Sequence, residues 1–164
     1  MTQKLLTFLI PLVLCTGTVF NTLRSENEVR FQILPLEDSY SPGDQLVLTL
    51  RANIAPSWHL YSTTPYPEDV LAAPQPTQIQ LEESLFLKPN GPIRQPKPKK
   101  DFDQNFGIET EYFEGIADFE IPVKIAPNAL KQEHTIVLKI RFMACNDRLC
   151  LPPQNVKVSN ILSV

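Results

Sequence analysis

The sequence predicts an all-β fold, an antiparallel β-sandwich of immunoglobulin-like size behind an N-terminal signal peptide, and three observations predict it. Several segments alternate apolar and polar residues with period two, the pattern of half-buried strands. Turn-forming residues separate them at short intervals. Sixteen prolines against five glycines in 164 residues disfavour long helices, because an interior proline removes a backbone donor and clashes with the preceding turn. With 43% hydrophobic and 20% charged residues, the chain can bury one core and is short for two domains.

Residues 1–18 read as the signal peptide. Lys4 supplies a positive start, residues 5–14 form an apolar run broken only by Thr7 and Pro11, and Thr16-Gly17-Thr18 offer a small-residue cleavage site. The run has about half the length of a spanning helix. Cys15 admits a second reading, as the lipid-accepting cysteine of a bacterial lipoprotein, although Leu14 before it is larger than that signal favours. An uncleaved anchor is the third. The folded domain is expected to cover residues 25–164, in an exported protein.

Strand candidates follow in order at 29–34, 45–51, 58–62, 77–81, 117–125, 134–144 and 155–158, about seven in all. Residues 45–51 put Leu46, Leu48 and Leu50 on one face; 117–125 do the same with Phe119, Ile121 and Val123, and Pro122 there predicts an edge position or a bulge. Ser41-Pro42-Gly43-Asp44, Ala55-Pro56-Ser57 and Ala126-Pro127-Asn128 supply turns. Residues 85–106, with Pro89, Pro92, Pro96, Pro98 and a basic cluster at Lys97, Lys99 and Lys100, break the rhythm and read as a long loop.

The longest strand candidate sets Ile136, Leu138, Ile140, Phe142 and Ala144 on one face and Val137, Lys139, Arg141 and Met143 on the other. Continued parity places Cys145 with the polar set, so its sulfur is expected near solvent unless a bulge intervenes. With Cys15 assigned to the signal, Cys145 and Cys150 are the two cysteines left, able to pair in an oxidising compartment. A bond between them closes only the turn Asn146-Asp147-Arg148-Leu149, which constrains the unfolded chain far less than a bridge between distant strands. Two readings stay open: a redox-active pair, or a local staple in a binding module that works through its loops.

Other chemistries are weakly supported. A net charge of −3 leaves no basic footprint for nucleic acid. Nucleophile elbows, phosphate loops and calcium loops are absent from the sequence. Met143, Cys145, Cys150 and a histidine lack the paired spacing of a metal site, so neither metal nor cofactor is expected. His59, beside Trp58, reads as a packed or surface residue.

The run Phe142-Met143-Ala144-Cys145-Asn146-Asp147-Arg148-Leu149-Cys150-Leu151-Pro152-Pro153 resembles the active-site segment of the N-terminal periplasmic domain of DsbD, the thiol:disulfide interchange protein. Pro56-Ser57-Trp58-His59-Leu60-Tyr61-Ser62 and Tyr112-Phe113-Glu114-Gly115 resemble further stretches of that family. The resemblance implies an immunoglobulin-like fold and a thiol–disulfide exchange function in the periplasm, with a link to cytochrome c biogenesis. It implies Cys150 as the nucleophile, Cys145 as the resolving cysteine, and thioredoxin-like periplasmic proteins and a DsbD-like membrane electron donor as partners. A cap loop over the cysteines is implied too, for which Phe106, Phe102 and Asp103 are the candidates; Asn105 stands where better known members carry the capping aromatic. Full-length members continue into a membrane domain and a thioredoxin-like domain, so the chain ending at Val164 reads as a stand-alone module.

Overall fold

A computed structural model describes residues 28–70 and 72–164; the signal-peptide and lipidation readings lie outside the described residues. Among the described residues eleven strands follow in order: β1 (Val29–Ile33), β2 (Gln45–Ile54), β3 (His59–Tyr61), β4 (Gln78–Leu81), β5 (Leu87–Pro89), β6 (Lys99–Asp103), β7 (Ile108–Phe113), β8 (Ile116–Ile125), β9 (Glu133–Phe142), β10 (Ala144–Cys145) and β11 (Gln154–Ser163). They form three antiparallel sheets, β1-β2-β8-β5, β11-β9-β4 and β10-β3-β7-β6. The fold is the all-β, immunoglobulin-like sandwich that the alternation predicts.

The period-two pattern explains the core. Leu48, Leu50 and Ala52 of β2 stand opposite Ile121, Phe119 and Ala117 of β8 in the ladder, and all are buried. They join Ile136, Leu138, Ile140 and Phe142 of β9 in one hydrophobic cluster. Phe31 of β1 meets Phe142 edge to face with ring centroids 5.0 Å apart, tying the first sheet to the β9 sheet. Phe113 of β7 meets Phe119 in the same way at 5.5 Å, tying on the third sheet. On the solvent face, Arg51 makes a two-pronged ion pair with its cross-strand partner Asp118, both contacts 2.8 Å.

Two expectations change. Residues 85–106 are not one loop: they contain β5, an isolated bridge between Arg94 and Glu120, and β6. Prolines suppressed the alternation there without preventing edge pairing. Pro122 is also not on an edge strand, since β8 lies between β2 and β5. Glu120 exchanges both backbone hydrogen bonds with Arg94, so Pro122, two residues on, turns its missing N–H to the same side. There the neighbouring segment leaves the ladder at Asn90 and Gly91, and Asn90 N–H donates to the Pro122 carbonyl at 2.8 Å. The proline is accommodated by a gap in its partner.

Candidate functional site

β9 ends at Phe142, and after Met143 the chain enters a different sheet, where Ala144 stands opposite Leu60 and Cys145 opposite His59. Ala144 belongs to the hydrophobic cluster, so Cys145 faces the other way, as parity predicts. The expectation of a sulfur near solvent is nevertheless wrong: Cys145 is 0% exposed. Alternation assigns the face but not what packs on it: here the sulfur is bonded to Cys150, and Asn105, between β6 and β7, donates to the carbonyl of the adjoining Asn146.

That hairpin is built by hydrogen bonds that do not involve sulfur. Asn146 N–H donates to Leu149 O and Leu151 N–H to Ala144 O, both at 2.9 Å, which makes Cys145 and Cys150 a non-hydrogen-bonded antiparallel pair. Such pairs bring side chains closest together, and the two Cα atoms are 4.1 Å apart across the disulfide. Asn146 Oδ1 accepts from the N–H groups of Arg148 (2.9 Å) and Leu149 (3.0 Å), fixing the turn locally. Cys150 is half-buried where Cys145 is sealed.

A polar cluster lies against Cys150. The turn Ala55-Pro56-Ser57, closed by Trp58 N–H donating to Ala55 O, leads into β3. Along β3, Leu60 points into the core, which turns His59 and Tyr61 together to the opposite face. The Tyr61 hydroxyl lies 4.0 Å from Cys150 Sγ. It donates to Asp103 Oδ2 at 2.6 Å and sits 3.3 Å from His59 Nε2. Asp103 ends β6, and its other oxygen, Oδ1, accepts from Asn105 N–H at 2.8 Å, so one buried carboxylate fixes both the phenol and the β6–β7 turn. Asn105 Nδ2 donates to the Asn146 carbonyl at 3.3 Å, joining that turn to the cysteine hairpin.

Electrostatics follow from this burial. Desolvation, then the hydrogen bond to Asp103, hold the Tyr61 phenol far above its ordinary range, so it stays a proton carrier. The Tyr66 phenol is pushed up to about 12, chiefly by burial and then by the charge of Asp103. Burial pushes the His59 imidazole down, while Asp103, Glu114 and Asp147 pull it back up. Beside His59 and Tyr112 opens a cleft of about 390 Å³ whose walls carry Asp101, Asp103, Glu114 and Asp147.

The structure therefore brings Cys145, Cys150 and Asp103 together. Phe106 is half-buried, with its ring edge-on to Tyr61 at 6.0 Å. Phe102 stands 62% exposed on the rim of the cleft. Tyr61 is the residue beside Cys150 that sequence reasoning missed; His59, read as packed or surface, is half-buried and packs against Tyr61 and Tyr112. The available signal was His and Tyr two apart on a strand, hence on one face.

Comparison with known proteins adds a family. The profile described as "Thiol:disulfide interchange protein DsbD, N-terminal" matches residues 30–161. No curated protein sequence matches the chain. Among solved structures, the reduced DsbD N-terminal domain of Neisseria meningitidis is similar at 17% identity and a TM-score of 0.48, over 80% of this chain and 91% of that one. A family 123 glycoside hydrolase from Clostridium perfringens is similar at 12% identity and a TM-score of 0.34, over 82% of this chain and 27% of that one. The profile match runs from β1 into β11 and takes in both cysteines, and on that ground the chain belongs to the family of the DsbD N-terminal domain, a periplasmic family of thiol–disulfide exchange modules.

Proposed function

We propose that the Cys145/Cys150 pair passes reducing equivalents to disulfide-containing partner proteins, with Cys150 attacking and Cys145 resolving. The observation that carries this reading is the asymmetry of the pair: Cys145 is sealed at 0% exposure, while Cys150 is half-buried beside a hydroxyl 4.0 Å away. In the reduced module the Cys150 thiolate attacks one sulfur of the partner's disulfide, forming a mixed disulfide and releasing the other sulfur as a thiolate. The Cys145 thiolate then attacks Cys150 Sγ, restores the internal disulfide and releases the second partner thiolate. Two electrons have moved to the partner, and the partner thiolates take up two protons. The Tyr61 hydroxyl, which donates to Asp103, lies beside Cys150 Sγ where the thiolate stands before its attack.

Thioredoxin-like periplasmic proteins fit as partners, and a DsbD-like membrane protein as the electron donor. Export through residues 1–18, and a folded unit spanning 25–164, complete the proposal. The β6–β7 turn serves as the cap, tethered by Asn105 to the cysteine hairpin and bringing Phe106 against Tyr61, while Phe102 stays on the rim. A purely structural bond is disfavoured because the hairpin already closes through its backbone and Asn146.

Trapping tests the roles directly. A Cys145→Ser chain mixed with an oxidised thioredoxin-like protein is expected to accumulate a mixed disulfide through Cys150, and a Cys150→Ser chain is expected to accumulate none. Equal trapping by the two variants, or trapping only through Cys145, would contradict the assignment.

A further inference from the structure

We infer that His59 takes up, through the Tyr61 hydroxyl, the proton that Cys150 releases on becoming a thiolate, and thereby sets the pH range in which the module attacks. The inference rests on the reading of Cys150 as the attacking sulfur. Its basis is a contiguous path: Cys150 Sγ to Tyr61 Oη is 4.0 Å, and Tyr61 Oη to His59 Nε2 is 3.3 Å. The Tyr61 O–H first turns from Asp103 Oδ2, to which it donates at rest, toward the Nε2 of His59 as its Nδ1–H tautomer; the Cys150 S–H bond then breaks, its proton passes to Tyr61 Oη, and the Tyr61 proton passes to His59 Nε2. Tyr61 is neutral before and after, no electrons change hands, and the products are a thiolate and an imidazolium.

The surroundings of His59 suit that role. Cys145 lies opposite it on β10, Tyr61 stands beside it on β3, and the Tyr112 ring of β7 is 5.0 Å away. The charges acting on it come from Asp103 on β6, Glu114 just after β7 and Asp147 in the cysteine turn, all acidic. Asp103 Oδ2 is the nearest, 3.9 Å from Nε2, and would receive the imidazolium as an ion pair. Imidazole is also the side-chain base whose ordinary range lies nearest to neutral pH. Burial keeps it neutral until a proton arrives, and the carboxylates then hold the charge. His59 acts through Tyr61, so it is a positioning residue for the thiolate and not a group that touches the partner.

The test is the pH profile of iodoacetamide alkylation in the reduced full chain, read at the Cys150 peptide by mass spectrometry. His59→Gln is expected to raise the midpoint by about one unit, a roughly tenfold slower reaction at neutral pH. Tyr61→Phe is expected to do the same, and the double variant to add nothing further, because one path has been cut twice. An unchanged midpoint in His59→Gln overturns the inference. In the unsubstituted chain, where folding is not in question, NMR titration of the His59 ring should give a higher midpoint in the reduced than in the oxidised protein; no rise overturns it equally. If Cys145 instead reacts ahead of Cys150 in the unsubstituted chain, the failure belongs to the attacking-sulfur reading.

Discussion

The space between β2, β8 and β9 is filled with aliphatic and aromatic side chains, whereas the space beside the short strands β3 and β10 is filled with a disulfide, two rings and a carboxylate. In the first region Leu48, Leu50, Phe119 and Leu138 are fully buried and contribute through area removed from water. In the second, Tyr61 and Asp103 are nearly as buried but are held by directed hydrogen bonds. The contrast teaches that the sandwich carries the stability while the cysteine end keeps its chemistry by satisfying each polar group. Damage should therefore separate: core substitutions lower stability and spare cysteine reactivity in the folded fraction, and site substitutions do more to reactivity.

The largest effect on stability is expected at Phe119→Ala, which empties a fully buried ring site against Phe113 and should cost about 3–5 kcal/mol in urea unfolding. If that variant also changed the alkylation rate of Cys150 in the folded protein, the separation would break. Tyr61→Phe removes the donor of a buried carboxylate and should cost about 1–3 kcal/mol, less than the core variant, by the same assay. Reduction of the disulfide opens only a short loop and should cost about 2 kcal/mol, with the circular dichroism spectrum retained.

A pH effect is smaller still. Burial lowers the His59 value in the folded state, so the unfolded chain binds the proton more tightly and stability falls as pH drops below about 6.5 toward the folded value. His59→Gln should flatten that acid limb in urea titrations of the oxidised protein at pH 7 and pH 5.5. At the bottom of the scale, Lys99→Ala breaks an exposed ion pair with Glu114 and should leave the urea midpoint unchanged.

The same contrast governs how much was legible. Period-two alternation identified β2, β8 and β9 and their inward residues, because a long strand with one wet face writes its burial into every second position. It failed at Cys145, since a two-residue strand has no pattern long enough to show that both its faces are covered. Residues 85–106 hid β5 and β6 because prolines and lysines suit an edge as well as a loop. The cysteine pair was legible from count and spacing, whereas the roles of its two sulfurs and the candidacy of Asp103 came through the family resemblance. Tyr61 escaped because its partner in hydrogen bonding is 42 residues away, a contact that only the third sheet creates.

The central claim, a dithiol carrier on an independently stable sandwich, is tested most directly by the reduction potential of Cys145/Cys150, equilibrated against a glutathione or dithiothreitol buffer while circular dichroism follows the fold. The account predicts a value in the range of exchange proteins, roughly −180 to −270 mV, with the β spectrum unchanged on reduction. A value below about −300 mV, or unfolding on reduction, would make the bond a structural staple and contradict it.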